Sequence, residues 1–591
     1  MSLQSYLEKP KPTGASIGST EEDLSSALPH TRVDLAAMEN QPTAASLDDP
    51  LYYLKNARTL IDWVRQIHAD LLTCAEILAL DGLLAAPDDA QALLIRMIMR
   101  TQTIYRESQL SHYGEISREP SELLGLLSDI GLVIRDPAIE AEQLPDLLTR
   151  EELLTVHNRF SETPLPKSSA KGKIRAALTR VELKPRSLNN WLDNHTPTVA
   201  LTCQPLFDRL RLMFFGNLRQ SWSEFVVTEL GYFNYEPVKL SQASRAFHQR
   251  EEVDQYLELN TIYELKEQLS LEERVAQTLE IKPINDWIAG RYGRLLFSLG
   301  QEAERAGETL TALQLYRQSG LGDALIRELR VMEKTAAPEE VDLRLKRPLR
   351  RPLTPLHQLS LARIEARISK KLGIAKATPK LRTPEEFKIS IPKPDRCVEL
   401  GSAEALATPT APIAYVENCL INSIFGLLFW DALYAPVPGA FFHPFQSHPA
   451  DLYRSAFKQK REAEINAAWQ QLNEGSYAEV IFERYQQKRG TTNAFIHWSV
   501  ITEELLALAL KLIPAEHLRL IFERLLSDIR THRSGFPDLI QFDTNQQNYR
   551  LIEVKGPGDR LQDNQKLWLD YFVEHQIPCS VCWVSWSEPV E

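Results

Sequence analysis

The chain has 591 residues, a formal net charge of −12, 43% hydrophobic residues and 25% charged residues. That length exceeds a single hydrophobic core and predicts about three or four domains. The acidic balance excludes a uniformly basic nucleic-acid binder. The lack of a charge-free apolar run of about 18 residues and of a signal-peptide pattern predicts a cytoplasmic protein without membrane spans.

Residues 1–48 are rich in Ser, Thr, Pro and Ala and read as a flexible arm. Residues 49–118 read as an N-terminal helical domain. Leu60, Ile61, Trp63, Val64, Ile67, Leu71 and Leu72 recur at helical spacing there, and a second helix is predicted over Ala90–Arg106. Residues 119–245 carry predicted helices at Ser121–Ile130, Leu144–Leu148, Arg150–Val156 and Lys171–Val181, and a longer one over Leu201–Leu230.

Within that region Lys167, Lys171, Lys173, Arg175, Arg180, Lys184 and Arg186 face only Glu182 as an acid. Phosphate binding needs such local patches rather than global positive charge. The run Leu165–Leu178, with its Lys- and Ser-rich helix start, resembles the second half of a SAP module. The resemblance implies DNA contact through Lys167, Lys171, Lys173 and Arg175, because a helix N-terminus and basic side chains together suit a phosphate. A solvated basic helix is the alternative.

Residues 246–342 fit paired antiparallel helices. Leu295, Leu296, Leu299 and Gly300, followed by Ala312, Leu315, Tyr316 and Gly320, resemble one tetratricopeptide-type unit, in which small residues let two helices approach. From 343 to 397 prolines surround one basic helix, Pro355–Leu372, and the segment reads as a linker. Leu343–Lys388 holds thirteen Lys and Arg against three Glu. The helix's basic face either lines a DNA channel or is solvated.

Residues 398–591 carry the chemistry. An apolar helix is predicted over Val416–Asp431, with Glu417 near its start; long helices follow at Ser455–Glu474, Thr502–Leu512 and Pro514–Arg530. Gly535-Phe536-Pro537-Asp538 then leads into two strand-like runs, Leu539–Asp543 and Tyr549–Lys555, joined by the turn-prone Thr544–Asn548. Alternation along a strand puts Glu553 and Lys555 on one face. An antiparallel partner can bring Asp538 beside Glu553. Two carboxylates and an amine at one sheet edge suit a hard divalent cation, Mg²⁺ or Mn²⁺, and phosphodiester hydrolysis. The backbone carbonyl of Val554 is a further candidate ligand. An ordinary surface hairpin is the alternative.

The gapless string from Glu553 to Trp568, E-V-K-G-P-x-D-x-L-x-x-x-Q-x-x-W, resembles the VRR-NUC branch of the PD-(D/E)xK nucleases. The resemblance implies Asp538, Glu553, Lys555 and Gln565 as catalytic residues. It also implies Glu417 as a metal ligand with Asp538, Glu553 and Val554, with Asp431 and Asp451 as weaker substitutes for Glu417. Glu417 otherwise serves as a first-turn acid complementing the helix dipole. With its long helical N-terminal portion the chain resembles the Fanconi-associated nuclease family in its bacterial form. In that family basic residues near the site hold phosphates, at positions matching Arg533 and Arg560.

The fold class expected is thus multidomain and mostly α, ending in an α/β PD-(D/E)xK (restriction-endonuclease-like) domain. The resemblance implies a metal-dependent endonuclease acting on branched double-stranded DNA near a 5′ flap, with a role in interstrand crosslink repair; it also admits 5′–3′ exonuclease action. A Holliday-junction resolvase, a non-catalytic repair scaffold and an RNA-cleaving enzyme are the alternatives. The six cysteines are scattered, and Cys579 and Cys582 should face opposite ways on a terminal strand, which disfavours zinc. His443 and His448 have no partner cluster and read as core or surface residues.

Overall fold

The computed structural model describes residues 49–179, 183–220, 234–347, 353–374 and 381–587. The expected arm at 1–48 lies outside them. Helices dominate, and two sheets interrupt them. In the first, strands β1 (Ile104–Arg106) and β2 (Val133–Arg135) flank β3 (Thr198–Leu201), all antiparallel. In the second, β4 (Glu385–Ile391), β5 (Ile413–Tyr415), β6 (Leu539–Asp543), β7 (Asn548–Lys555) and β8 (Cys579–Trp586) are ordered β4-β8-β7-β6-β5.

The helical half is built on amphipathic stripes with good caps. Thr73, Thr149 and Ser270 each accept from the amide three residues on, and Glu76, Glu152 and Glu273 reach back to the cap amides. One core runs from Tyr53 to Val331, and a smaller one, from Ile139 to Trp191, forms the compact unit holding the basic helix. The helical hairpin Asp286–Ala306 and Thr309–Ser319 packs tightly: a Cβ on Gly293 would stand 2.5 Å from the Ser319 carbonyl oxygen, and one on Gly300 2.7 Å from the Tyr316 ring. This matches the expectation that small residues bring the two helices together.

Several expectations need correction. The helix predicted over Ala90–Arg106 stops at Ile98 and is followed by β1. The one predicted over Leu201–Leu230 covers Gln204–Phe215 and ends where Gly216 takes a left-handed φ of 70°; residues 221–230 lie outside the described ones. The Pro-rich segment is more than a linker around one helix. After the helix Pro355–Lys371 it supplies β4, which pairs parallel with β8 over Glu385↔Ser580 to Ile391↔Trp586. The C-terminal sheet therefore begins before residue 398.

The two halves interlock. Phe442, from the loop after the apolar helix, belongs to the N-terminal core, and its ring lies where a Cβ on Gly216 would stand 2.5 Å away. His443 is buried beside it, stacked on Phe214 at 5.2 Å. No helix among the described residues is long and apolar enough to cross a membrane.

Candidate active site and nucleic-acid interface

Register builds the site. Leu539 pairs with Ile552 across the β6–β7 hairpin, so Asp538, one residue earlier, stands next to Glu553, one residue later. On one face Ile552 and Val554 pack with Leu539, Cys582 and Ala403; on the other Tyr549 and Leu551 pack with Ile540, Trp568 and Phe572. Glu553 and Lys555 share the second face by alternation. At this end of the sheet the apolar positions give way to charge: Glu553 is 0% exposed, Asp538 5% and Lys555 9%.

The contacts within the trio are specific. The Val554 amide donates to Asp538 Oδ2 at 2.8 Å. Lys555 Nζ stands 2.7 Å from Glu553 Oε1 as an ion pair, yet neither buried oxygen of Glu553 receives an aligned hydrogen bond. Burial, and then the neighbouring Glu553 carboxylate, raise the Asp538 pKa well above the usual carboxylate range. Burial likewise raises Glu553 to about 7 against the pull of Lys555. Burial opposes the charge on Lys555, but Glu553 and Asp538 hold its ammonium above the ordinary value. Two crowded carboxylates that share the single Lys555 ammonium are left under-compensated. A divalent cation would supply the missing counter-charge, and the oxygen-rich donor set fits a hard one.

Glu417 is close to the trio electrostatically: it raises both Asp538 and Glu553. It does not lie inside the apolar helix as expected. That helix is Leu420–Leu428, and Glu417 precedes it, followed by Asn418 at φ 51°. Its Oε2 accepts from the Tyr415 hydroxyl at 2.7 Å. Among the described residues no three His, Cys, Asp or Glu side chains are drawn tightly enough to enclose an ion, so Glu417 and the pair are neighbours rather than one closed cage. Asp431 and Asp451, the weaker substitutes, are engaged elsewhere. Arg484 holds Asp431 at 2.6 Å, and the buried Arg461 holds Asp451 at 2.8 and 2.9 Å.

Gln565 sits at the third position of the helix Asp563–Glu574, where its Oε1 accepts from the Gln562 amide at 2.9 Å. In this conformation it caps the helix. Glu399, a residue the sequence did not single out, adds negative potential at Glu553 from the first turn of the helix Val398–Leu406. Cys582 is buried on one sheet face while Cys579 lies against the core of the other, as alternation requires.

The basic residues divide into two classes. Lys167, Lys173 and Arg175 are exposed on the small unit. Lys171 donates to the Leu148 carbonyl at 2.8 Å and partly serves the fold. Arg560 is exposed in the Gly556–Arg560 turn, whereas Arg533 donates to the Ala494 carbonyl at 3.0 Å and to the Tyr453 hydroxyl. The linker helix is not a free basic face: Arg363 is spent on Asp563 and Arg367 on Glu333.

A cluster the sequence did not reveal joins Arg219, Arg291, Arg294, Arg454 and Arg530, drawn from a turn, the hairpin helix and two segments of the C-terminal domain. None has a carboxylate within ion-pair distance among the described residues. Burial, then Arg294, Arg219 and Arg454, push Arg291 down to about 10; Tyr256, 3.5 Å below its guanidinium, works the other way. Burial, then Arg530, lower Arg294. Guanidiniums from separate segments that repel one another without an ion-pair partner are an anion-binding arrangement.

The likenesses to known proteins agree with this anatomy. Residues 472–586 match the VRR-NUC domain, 51–133 the FAN1 HTH domain, and 138–191 the Fanconi anemia-associated nuclease SAP domain. The chain is 39% identical over 551 residues to the Fanconi-associated nuclease 1 homolog of Pseudomonas aeruginosa, covering 92% of this chain and 97% of that protein. It is 32% identical over 173 residues to the Schizosaccharomyces pombe homolog, of which only 24% is covered. Among solved structures, a crystal structure of paFAN1 bound to gapped DNA with a two-nucleotide 5′ flap matches with a TM-score of 0.81 at 39% identity, over 92% of this chain and all of that one.

Proposed function

The chain belongs to the Fanconi-associated nuclease family, and from that premise we propose that it is a structure-specific DNA endonuclease that hydrolyses a phosphodiester near a 5′ flap. The observation that carries this reading is Asp538 and Glu553 side by side at one end of the sheet's inner strands, with a buried carboxylate that has an ion partner but no aligned donor.

Each residue has a part. Asp538 gives one oxygen to the Val554 amide, which fixes the carboxylate and leaves the other oxygen for a cation. Glu553, Glu417 and the Val554 carbonyl complete the set that would hold Mg²⁺ or Mn²⁺. The ion, when bound, lowers the pKa of a water and offsets charge on the phosphoryl oxygens. Lys555 orients the attacking water or steadies the developing negative charge. The new P–O bond forms as the bond to the leaving oxygen breaks. Tyr415 keeps Glu417 from turning away. Arg560 and Arg533 hold phosphates next to the scissile one.

Branch selection requires a bent substrate gripped on more than one arm. The exposed Lys167, Lys173 and Arg175 serve one arm, and the arginine cluster between the hairpin and the nuclease receives phosphates near the branch. A role in interstrand crosslink repair inside the cell follows from the family. The decisive assay gives purified protein and Mn²⁺ or Mg²⁺ labelled 5′ flaps, 3′ flaps, four-way junctions and plain duplex. Preferred cutting of the 5′ flap supports the reading. Paired symmetric cuts in four-way junctions, or binding without cutting, would overturn it.

A further inference from the structure

The helix Asp563–Glu574 is held from outside the nuclease domain. Arg363, on the linker helix, donates to both oxygens of Asp563 at 2.5 and 2.8 Å, at the first turn of that helix. Further along the same segment, a strap whose described residues are 355–374 and 381–384, the Arg382 amide donates to Asp570 Oδ1 at 2.6 Å and its guanidinium to Glu574 at 3.2 Å. The strap is anchored at its other side to the helix Gly322–Thr335. Arg367 is bidentate on Glu333 at 2.9 and 2.7 Å, and His357 Nε2 lies 3.0 Å from Asp323. A Cβ on Gly322 would meet the His357 ring at 2.4 Å, so the two helices are in direct contact.

What this helix touches explains why its placement matters. Gly535, three residues before Asp538, takes a φ of 89°, and a Cβ there would stand 2.9 Å from the Asn564 carbonyl carbon. One turn on, the Trp568 indole donates to the His532 and Ser534 carbonyls at 3.1 and 3.2 Å and packs on Phe536 at 4.3 Å. The loop from His532 to Pro537 therefore takes its shape from this helix, and Asp538 follows it directly.

We propose that Arg363 is a positioning residue for the cleavage reaction: through Asp563 it seats the start of the helix on Gly535 and so sets the aim of Asp538, tying the chemistry to the helix Gly322–Thr335 that holds the strap. The inference rests on Asp538 acting in the reaction. A single half-exposed ion pair adds little to global stability, whereas a small misplacement of a reacting group costs rate steeply.

The test uses the full-length protein, a labelled 5′ flap and Mn²⁺. Arg363→Ala should lower kcat about tenfold with KM within about twofold, because the effect is on aim rather than on binding. Asp563→Asn should do the same, the double variant should be no worse than either single one, and Arg363→Lys should recover part of the loss. Arg519→Ala, which breaks an exposed ion-pair cluster elsewhere, should be neutral. Hydrogen exchange of the amides from His532 to Asp538 should quicken in Arg363→Ala. Normal kcat, a loss confined to KM, multiplicative effects in the double variant, or unchanged exchange would each overturn the inference. A wild-type protein that never cuts the flap would instead overturn the proposed function, and the exchange measurement would still decide the positioning.

Discussion

Lys555 Nζ lies 2.7 Å from Glu553 Oε1 at a position where Glu553 has no solvent exposure. Burial nevertheless outweighs the attraction on the Glu553 side and raises its pKa to about 7, while the same contact helps hold Lys555 charged. Between the ordinary carboxylate value and about 7 the folded protein holds a proton that the unfolded chain has lost. Stability of the metal-free protein therefore falls as pH rises through that window. Glu553→Gln should raise the melting temperature of the metal-free protein at pH 8 by roughly 2–5 °C while abolishing cleavage. The gain should shrink below pH 6. A thermal scan in EDTA across pH 5–8 checks it, and a pH-independent difference would remove the buried-charge account.

Asp538→Asn keeps the shape of the side chain and an acceptor for the Val554 amide, but removes the charge. Cleavage should fall by at least about 100-fold, the scale of losing a preorganised electrostatic group. DNA affinity should stay within a few-fold. Filter binding beside single-turnover cleavage separates the two, and near-normal turnover would show that the reacting centre lies elsewhere.

Gly535→Ala adds one methyl group in a left-handed backbone and against Asn564. The backbone alone costs about 1–2 kcal/mol. The larger effect should be on rate, since the displaced loop carries Asp538. We expect kcat to fall more than stability predicts, measured as turnover at a temperature well below the melting point.

Lys173 and Arg175 are exposed, whereas Lys171 also ties its helix to the Leu148 carbonyl. Lys173→Glu with Arg175→Glu should weaken flap binding and flatten its dependence on salt, each lost phosphate contact removing about one unit from the log–log slope. Lys171→Glu should in addition loosen the small unit, seen as a lower melting temperature. An unchanged salt slope in the double variant would take this helix off the DNA.

The β6–β7 hairpin was legible because its signals are local. Asp543 and Asn548 bracket the turn, and alternation put Glu553 and Lys555 on one face without any knowledge of the fold. The place of Glu417 ahead of the helix was not legible, since the left-handed Asn418 that ends the preceding strand connection has no strong sequence sign. Strand β4 carried one: Phe387, Ile389 and Ile391 alternate with polar residues, yet the surrounding prolines and lysines concealed the period. The fates of Arg363, Asp431 and Asp451 depend on partners 200, 53 and 10 residues away, beyond any local pattern. The arginine cluster likewise has no motif, because chain segments from Arg219 to Arg530 meet only in three dimensions.

Strand β4 reaches the sheet from the far side of the strap and covers β8 along seven residue pairs. An excised fragment beginning at 398 would leave the amides and carbonyls of Ser580–Trp586 as a raw border, open to pairing with other copies. Such a truncation should clump rather than behave as a free-standing catalyst. Any graft of this cutting head onto another carrier has to bring the strap with it.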